Sequence, residues 1–263
     1  MLNPAVDNVL ALDFDGVLCD SARETGVTAW RAGRHVWPGE WDNEDPPSAV
    51  LERFCQLRPL LETGYQAIPL MRLSWEEYSR EEVGSRFEDL LAGAIAKTGR
   101  TVDELIQLFG ETRDAWLRED PDGWLQCHRF FPGTVQRLVR ALERWPVYIL
   151  TTKQERFVRR LLSAQNVLFP HERIFGLDTG KKKTEILREL SIAWPGANRA
   201  LHFVEDRLAT LDKVASVPGL ARVHLYLAGW GYNIDDDRAR AKADSRISVL
   251  TLADFLQDDG CQS

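Results

Sequence analysis

The stretch Val9–Leu18, with the sequence VLALDFDGVL, decides the fold class of this 263-residue chain. Val9–Leu12 is a short apolar run, which is typical of a strand buried on both faces of a sheet. Asp13 and Asp15 follow it directly, and Gly16 marks a turn. Two carboxylates held close together remain ionised only at a high cost unless a cation neutralises them. The pattern therefore indicates either a cation site or a polar turn whose aspartates cap a helix.

Short apolar runs alternate with helical patterns in the second half of the chain. Strands are predicted at Val147–Leu150, Ile174–Leu177, Leu201–Val204 and Val223–Leu227. Helices are predicted to follow them, at Gln154–Ala164, Thr184–Leu190, Leu208–Ser216 and Asp236–Ala243. This alternation predicts an α/β fold with a Rossmann-like, doubly wound parallel sheet, and the strand at Val9 belongs to that sheet by type. Ligands of such sheets bind beyond the carboxyl ends of the strands.

The sequence between these two regions has a helical pattern. Capping-box signals at Ser21 and Glu24, at Ser74 and Glu77, and at Thr101 and Glu104 predict three helix starts. One apolar helix face is predicted from Phe87, Leu90, Leu91, Ala94 and Ile95. We therefore predict an α/β core formed by residues 1–19 and 130–263, with residues 20–129 inserted as an α-helical cap.

Polar residues also follow the later predicted strands. Thr151, with the backbone N–H groups of its turn, can bind phosphate oxygens or can simply cap a helix. The lysine run 181–183 can stabilise phosphoryl charge or can lie in solvent. Glu205 and Asp206 repeat the acid pair of the first strand, or favour a helix dipole.

Taken in order, the acid pair, the threonine, the lysine run and the second acid pair resemble the haloacid dehalogenase-like (HAD) hydrolase superfamily. Residues 13–21 are similar, nearly throughout, to the first motif of the subgroup with phosphoglycolate phosphatases and β-phosphoglucomutases. Residues 131–134, 204–207 and 229–232 resemble that subgroup's later segments. The cap sequence shows no such resemblance. The chain is thus identified as a divergent member, in which Arg207 replaces the usual serine.

The resemblance implies the chemistry of the first acid pair. Asp13 would be the nucleophile that forms an aspartyl-phosphate. Asp15 would be the general acid that protonates the leaving oxygen and then the base that activates water. An acid at this position favours an alkoxide leaving group over a halide, because halide needs no proton. The implied activity is that of a phosphatase acting on a small-molecule phosphate monoester.

The resemblance also assigns the phosphate-binding and metal-binding groups. Thr151 and Thr152 would bind phosphoryl oxygens, and a lysine of the run would neutralise the nucleophile and the phosphate. The proline that usually follows this lysine is absent, so Lys183 is favoured and Lys182 stays the alternative.

The metal-binding set implied by the resemblance consists of oxygen ligands. Asp13, the backbone carbonyl of Asp15, Glu205 and Asp206 would hold Mg²⁺, which prefers oxygen ligands together with substrate phosphate.

Composition restricts the partners. The chain has 33 Lys and Arg against 40 Asp and Glu, a net charge of −7, so we expect neither nucleic-acid nor membrane binding. The N-terminal stretch lacks a signal-peptide pattern, and Cys19, Cys55, Cys127 and Cys261 are too scattered for a disulfide framework. We therefore expect a cytoplasmic location.

Two alternative functions stay open at this point. A phosphomutase of the β-phosphoglucomutase type would share the core chemistry, and a non-catalytic binding or regulatory protein would share the fold. The unmatched cap sequence hides the identity of the phosphate ester, and neither the oligomeric state nor the pathway can be predicted from these residues.

Overall fold

A computed structural model describes residues 8–194 and 200–257; Cys261 lies outside the described residues. The described chain divides into two compact units, a core of residues 8–20, 130–194 and 200–257, and a helical unit of residues 21–129. None of the described helices combines the length and the apolar character that crossing a bilayer requires.

The core unit is built on a parallel six-stranded sheet. The strands of the chain are β1 (Asn8–Leu12), β2 (Cys19–Asp20), β3 (Arg129–Phe130), β4 (Val147–Leu150), β5 (Ile174–Phe175), β6 (Ala200–Glu205), β7 (His224–Ala228) and β8 (Ile247–Leu250). The sheet order is β5-β4-β1-β6-β7-β8, and every neighbouring pair is parallel. β1 lies between β4 and β6, with Leu10 opposite both Val147 and His202. The predicted α/β sheet is confirmed.

The helices divide between the two units. Those of the helical unit are α1 (Ala22–Val36), α2 (Ser48–Leu57), α3 (Ala67–Trp75), α4 (Arg80–Ser85), α5 (Phe87–Thr98), α6 (Val102–Glu119) and α7 (Pro121–Gln126). Those of the core are α8 (Thr134–Arg144), α9 (Glu155–Ala164), α10 (Lys183–Ala193), α11 (Leu208–Ala215), α12 (Asp235–Ala243) and α13 (Leu252–Leu256). Short 3₁₀ turns lie at Arg58–Leu60, Gly64–Gln66, His171–Arg173, Leu177–Thr179 and Pro218–Leu220.

The centre of the sheet is apolar on both faces. All four residues from Val9 to Leu12 are at most 1% exposed. Val9 and Ala11 pack in one cluster with Phe203, Leu225 and the buried side chains of α10 and α11. This burial explains why a continuous apolar run, rather than an alternating one, marks the central strand.

Two details of the sheet differ from the sequence prediction. The predicted strand Ile174–Leu177 is wrong beyond Phe175, because the Gly176 N–H donates to the Glu155 side chain and a 3₁₀ turn follows. β8 was not predicted, since its Ser248 is exposed and only its two end residues are buried. Its apolar pattern is therefore weak.

The chain leaves the core after β2 and returns at β3. The Phe131 N–H donates to the Leu18 carbonyl at 3.0 Å, and the Thr134 hydroxyl donates to the same oxygen at 2.9 Å. The points of departure and return are therefore neighbours within the core.

The capping predictions for the helical unit have mixed outcomes. Thr101 and Glu104 form the predicted capping box at the start of α6. The box predicted at Ser74 is wrong, because Ser74 lies near the end of α3 and its hydroxyl donates to the Leu70 carbonyl. The capping box of that region is formed instead by Ser79 at the start of α4.

The capping box predicted at Ser21 and Glu24 does not form, because the Glu24 side chain is in a buried ion pair. Ser21 is the N-cap of α1, as predicted, without a side-chain capping hydrogen bond. Glu24 is fully buried and accepts hydrogen bonds from both Nε and Nη2 of Arg113, each at 2.7 Å. The Thr28 hydroxyl adds a third hydrogen bond at 2.7 Å. This network joins α1 to α6, because a buried carboxylate must be paired.

A buried histidine lies in the sheet of the core unit. His202 is 4% exposed, and its ring nitrogens lie 3.1 Å from the Tyr226 hydroxyl and 3.0 Å from Asn8 Oδ1. The His224 ring stacks on it, with the ring centroids 5.0 Å apart. Burial, together with His224, lowers the pKa of His202 to about 4. The ring is therefore neutral at pH 7 and satisfies both hydrogen bonds without a charge.

The first prediction concerns stability against acid. The pKa of His202 rises on unfolding from about 4 to about 6.5, so the unfolded state binds the extra proton between these values and stability falls as the pH falls through this range. On these values His202 lowers the free energy of unfolding by about 2 kcal/mol between pH 7 and pH 5. Urea titrations should show that this decrease is smaller by about that amount in His202→Asn. The exposed control His171→Asn should keep the wild-type decrease, and an equal decrease in all three proteins would contradict the prediction.

Candidate active site

Asp13 follows β1 at the carboxyl edge of the sheet. Its N–H continues the pairing with β6 by donating to the Val204 carbonyl at 2.9 Å, and its Oδ1 accepts a hydrogen bond from the Phe14 N–H at 2.7 Å. Asp13 is only 7% exposed. The backbone of the central strand thus holds this carboxylate in place.

The turn after Asp13 is closed by backbone hydrogen bonds. Leu18 and Cys19 both donate to the Phe14 carbonyl, and the Gly16 N–H donates to the Cys19 carbonyl at 2.8 Å. Gly16 has φ +85°, and a Cβ at this position would lie 1.9 Å from Asp206 Oδ2. Glycine is required here both by the backbone conformation and by the closeness of the Asp206 carboxylate.

Three buried carboxylates meet at this edge of the sheet. Asp13 comes from the end of β1, Glu205 is the last residue of β6, and Asp206 follows it; one oxygen of each lies within 4.8 Å of the others. Glu205 is fully buried and Asp206 is 1% exposed. Oxygen donors of this kind suit a hard divalent cation, and three converging buried carboxylates require positive charge nearby.

Lys183, the first residue of α10, supplies part of that charge. Its Nζ lies 3.1 Å from Asp13 Oδ2 and donates to Glu205 Oε2 at 2.7 Å. Burial disfavours the charged form of Lys183, but the Asp13 and Glu205 carboxylates outweigh it and raise its pKa. The ammonium group is therefore permanently charged at neutral pH.

The protonation of Asp13 is strongly perturbed by its surroundings. Burial raises its pKa to about 7, and Lys183 opposes this shift while Glu205 and Asp15 add to it. The opposing charge of Lys183 thus does not cancel the effect of burial, and Asp13 holds a proton below about pH 7.

A second buried ammonium contacts the other aspartate of the first strand end. Lys153 Nζ lies 3.4 Å from Asp15 Oδ1, and the Lys153 side chain is 1% exposed. Thr151, directly after β4, is 6% exposed, and its Oγ1 accepts a hydrogen bond from the Lys153 N–H at 3.1 Å. The ends of β1 and β4, which are neighbours in the sheet, carry these residues.

In the contacts described above, carboxylates outnumber ammonium groups. Four carboxylates, those of Asp13, Asp15, Glu205 and Asp206, are accompanied there by the ammonium groups of two lysines. With all four carboxylates ionised, these contacts carry an excess of two negative charges, which one divalent cation can offset. The donor set and its charge therefore fit Mg²⁺ or a similar ion.

The segment that follows β7 packs against Asp206 and forms hydrogen bonds with it. The Tyr232 N–H donates to Asp206 Oδ2 at 2.8 Å, and Asn233 Nδ2 donates to the Asp206 backbone carbonyl at 3.0 Å. Gly231 packs so closely that a Cβ on it would lie 2.4 Å from both Asp206 Cβ and the Gly16 carbonyl oxygen. Residues 230–232, part of the segment 229–232 noted in the sequence, thus help to fix the orientation of the Asp206 carboxylate.

The structure places the other sequence-predicted residues differently. Thr152 and Lys182 are exposed, and among the described contacts neither side chain reaches the cluster. Lys181 pairs with Glu189 on the surface, so Lys183 is the member of the lysine run that meets the carboxylates. The carboxylate of Asp15 contacts Lys153 and lies outside the three-carboxylate cluster.

Lys153 was assigned no role from the sequence. The signal that could have identified it is a charged residue two positions after the threonine that ends an apolar strand, in the same turn as two predicted site residues. A single lysine in a turn is usually solvated, so the pattern alone did not separate it from a surface residue.

Comparison with solved structures identifies the fold of the chain. A candidate phosphoglycolate phosphatase from Lactobacillus delbrueckii matches with a TM-score of 0.58 at 12% identity, over 97% of this chain and 98% of that one. A haloacid dehalogenase-like hydrolase candidate from Burkholderia xenovorans matches with a TM-score of 0.53 at 18% identity, over 97% and 99%. The fold is that of the haloacid dehalogenase-like hydrolases. A predicted phosphatase from Clostridium acetobutylicum shares it, with a TM-score of 0.53 at 14% identity over 96% and 97%.

At the level of sequence, similarity is much weaker. No family model matches the chain, and no curated protein matches it. The HAD fold recognised from the ordered motifs is confirmed by structure, at a sequence distance that agrees with a divergent branch.

The second prediction tests the packing behind Asp206. Gly231→Ala adds a methyl group where Asp206 and the Gly16 carbonyl already lie, so we expect the free energy of unfolding to fall by about 1–3 kcal/mol. Gly93→Ala is the matched control, because Gly93 lies in α5 and a Cβ added to it would have no atom of the described residues within 4 Å. Alanine there should raise the free energy of unfolding by up to about 1 kcal/mol. Urea unfolding of both variants measures the difference; equal stability of the two would contradict the described packing.

Proposed function

We propose that this protein is a Mg²⁺-dependent phosphatase that hydrolyses a small-molecule phosphate monoester through an aspartyl-phosphate on Asp13. The observation that carries the proposal is the buried cluster of Asp13, Glu205 and Asp206, with Lys183 bridging Asp13 and Glu205. The fold shared with proteins described as phosphatases supports it, because the cluster lies at the carboxyl edge of the parallel sheet, where ligands of such sheets bind.

In the first step a carboxylate oxygen of Asp13 attacks phosphorus. A bond forms between this oxygen and phosphorus while the bond from phosphorus to the ester oxygen breaks. Asp15 gives its proton to the departing oxygen, so the product alcohol leaves neutral. Asp13 is suited to this attack because the backbone of β1 and the Phe14 N–H fix its side chain.

In the second step water releases the phosphate. Asp15, now ionised, takes a proton from water as the water oxygen attacks phosphorus. The bond between phosphorus and the Asp13 oxygen breaks, which yields inorganic phosphate and regenerates both carboxyl groups. The two steps together consume one water and leave the protein unchanged.

Positive charge makes the attack of an anion on an anion feasible. Lys183 would neutralise charge on Asp13 and on a phosphoryl oxygen, and the Thr151 hydroxyl would donate to a second oxygen. Asp13, the Asp15 backbone carbonyl, Glu205 and Asp206 would hold the metal. When bound, Mg²⁺ would supply positive charge that reduces the repulsion between the phosphate and the carboxylates.

The third prediction tests the nucleophile. Asp13→Asn keeps the size of the side chain but removes the attacking carboxylate, so the Mg²⁺-dependent hydrolysis of 4-nitrophenyl phosphate should fall by about a thousand-fold or more. Release of 4-nitrophenolate measures the rate. Asp236→Asn, at an exposed aspartate of α12, is the control and should keep wild-type activity. Wild-type turnover by Asp13→Asn would refute the proposed function.

The fourth prediction concerns metal binding and pH. Because the pKa of Asp13 is about 7 without metal, Mg²⁺ must displace a proton below that pH, so its apparent affinity should rise as the pH increases to 7 and level off above it. Calorimetric titration at pH 6.5, in two buffers with different ionisation enthalpies, should show release of most of one proton. Asp13→Asn should release none. An affinity that is independent of pH between 5.5 and 8 would contradict the prediction.

A further inference from the structure

Lys153 is a charged side chain in an almost fully buried position. The residue is 3% exposed, and its ammonium group lies at the carboxyl edge of the sheet rather than in solvent. Placing an ammonium group out of water is costly unless an opposite charge accompanies it. The position of Lys153 therefore calls for an explanation in terms of what it contacts.

Lys153 forms an ion pair with Asp15, with Nζ 3.4 Å from Oδ1. Lys183 contacts Asp13 and Glu205 instead. The two aspartates of the first strand end therefore each have an ammonium group, and these come from different turns of the core. Lys183 acts on the nucleophile, so the charge on Lys153 is directed at the other carboxyl group.

The backbone of Lys153 is fixed on both sides. Its N–H donates to Thr151 Oγ1 at 3.1 Å, and its carbonyl accepts from the Leu177 N–H at 3.1 Å. Gly176 packs on the same carbonyl so closely that a Cβ there would lie 2.5 Å from it. The ammonium group thus extends from a rigid turn, and it can hold its partner in one orientation.

We propose that Lys153 is a positioning residue that orients the Asp15 carboxyl group for proton transfer. This inference rests on the proposed function, in which Asp15 protonates the leaving oxygen. The proton moves from Asp15 to that oxygen as the phosphorus–oxygen bond breaks, and Lys153 keeps its own protons throughout. The contact with the Lys153 ammonium group, an ion pair when Asp15 is ionised and a hydrogen bond to the carboxyl oxygen when Asp15 is protonated, limits rotation of the carboxyl group, so the acid faces the departing group at the moment of bond cleavage.

The consequence is a selective effect on poor leaving groups. A 4-nitrophenolate ion departs readily without a proton, whereas an alkoxide needs one. Loss of Lys153 should therefore slow hydrolysis of an alkyl phosphate far more than hydrolysis of 4-nitrophenyl phosphate. A residue that merely supports the fold would slow both substrates by the same factor.

The fifth prediction is the test of this inference. For Lys153→Met, kcat/KM with Mg²⁺ should fall less than about 10-fold for 4-nitrophenyl phosphate and about 100-fold or more for propyl phosphate. This parameter reports the steps up to formation of the aspartyl-phosphate, in which the leaving group departs. Lys153→Gln, which keeps a hydrogen-bond donor without the charge, should lie between the wild type and Lys153→Met. Lys242→Met, at an exposed lysine of α12, should match the wild type with both substrates.

The outcomes separate this inference from the proposed function. Equal losses for both substrates, or failure of both Lys153 variants to fold in thermal unfolding measurements, would overturn the positioning role while leaving the phosphatase proposal intact. Absence of hydrolysis by the wild type with both substrates would overturn the phosphatase proposal and this inference with it. A crystal structure of Lys153→Met should show the Asp15 carboxyl group rotated from its wild-type position, and an unmoved Asp15 would also overturn the inference.

Discussion

Asp13, Glu205 and Asp206 place three carboxylate groups in a region from which water is largely excluded. Repulsion between like charges is strong in such a region because the local dielectric constant is low. Lys183 offsets part of this repulsion, but burial, together with the charges of Glu205 and Asp15, still raises the pKa of Asp13 to about 7. A folded chain tolerates this arrangement only where rigid backbone forces the groups together, so the rest of the core is organised around supplying that rigidity.

The parallel sheet supplies it through register. β1 and β6 pair along their whole length, which brings the residues just beyond their ends side by side. Tyr232 and Asn233, in the segment 230–233, form hydrogen bonds with Asp206 and restrict its movement. The geometry of the carboxylate cluster depends on both parts, since the strands fix the backbone positions of the carboxylates and the segment 230–233 fixes the orientation of Asp206.

Much of the fold could be predicted from the sequence because the central strands of the core are buried on both faces. Continuous apolar runs such as Val9–Leu12 are hard to mistake, whereas the half-exposed β8 has no such run and escaped prediction. The capping box at Ser74 failed for a related reason. Its spacing is correct, but tertiary packing placed that serine at the opposite end of a helix from the one its pattern favours.

The sequence predicted those residues of the candidate site that directly follow the ends of predicted strands. The sequence alone could not decide which of the three adjacent lysines reaches the carboxylates. The contact of Lys183 with Asp13 distinguishes it from the exposed Lys182. Lys153 could not be assigned at all, because its importance comes from the nearness of Asp15, a residue far away in the chain. Local sequence patterns therefore identify candidate site residues, and contacts between distant parts of the chain show which of them meet.

The hydrogen bond from Phe131 to Leu18 has a consequence for the connectivity of the chain. It joins the two points at which residues 21–129 leave the core and return to it, and both of its partners belong to the core. A change of length within residues 21–129 that keeps this hydrogen bond therefore leaves the two ends of the insertion at the same place in the core.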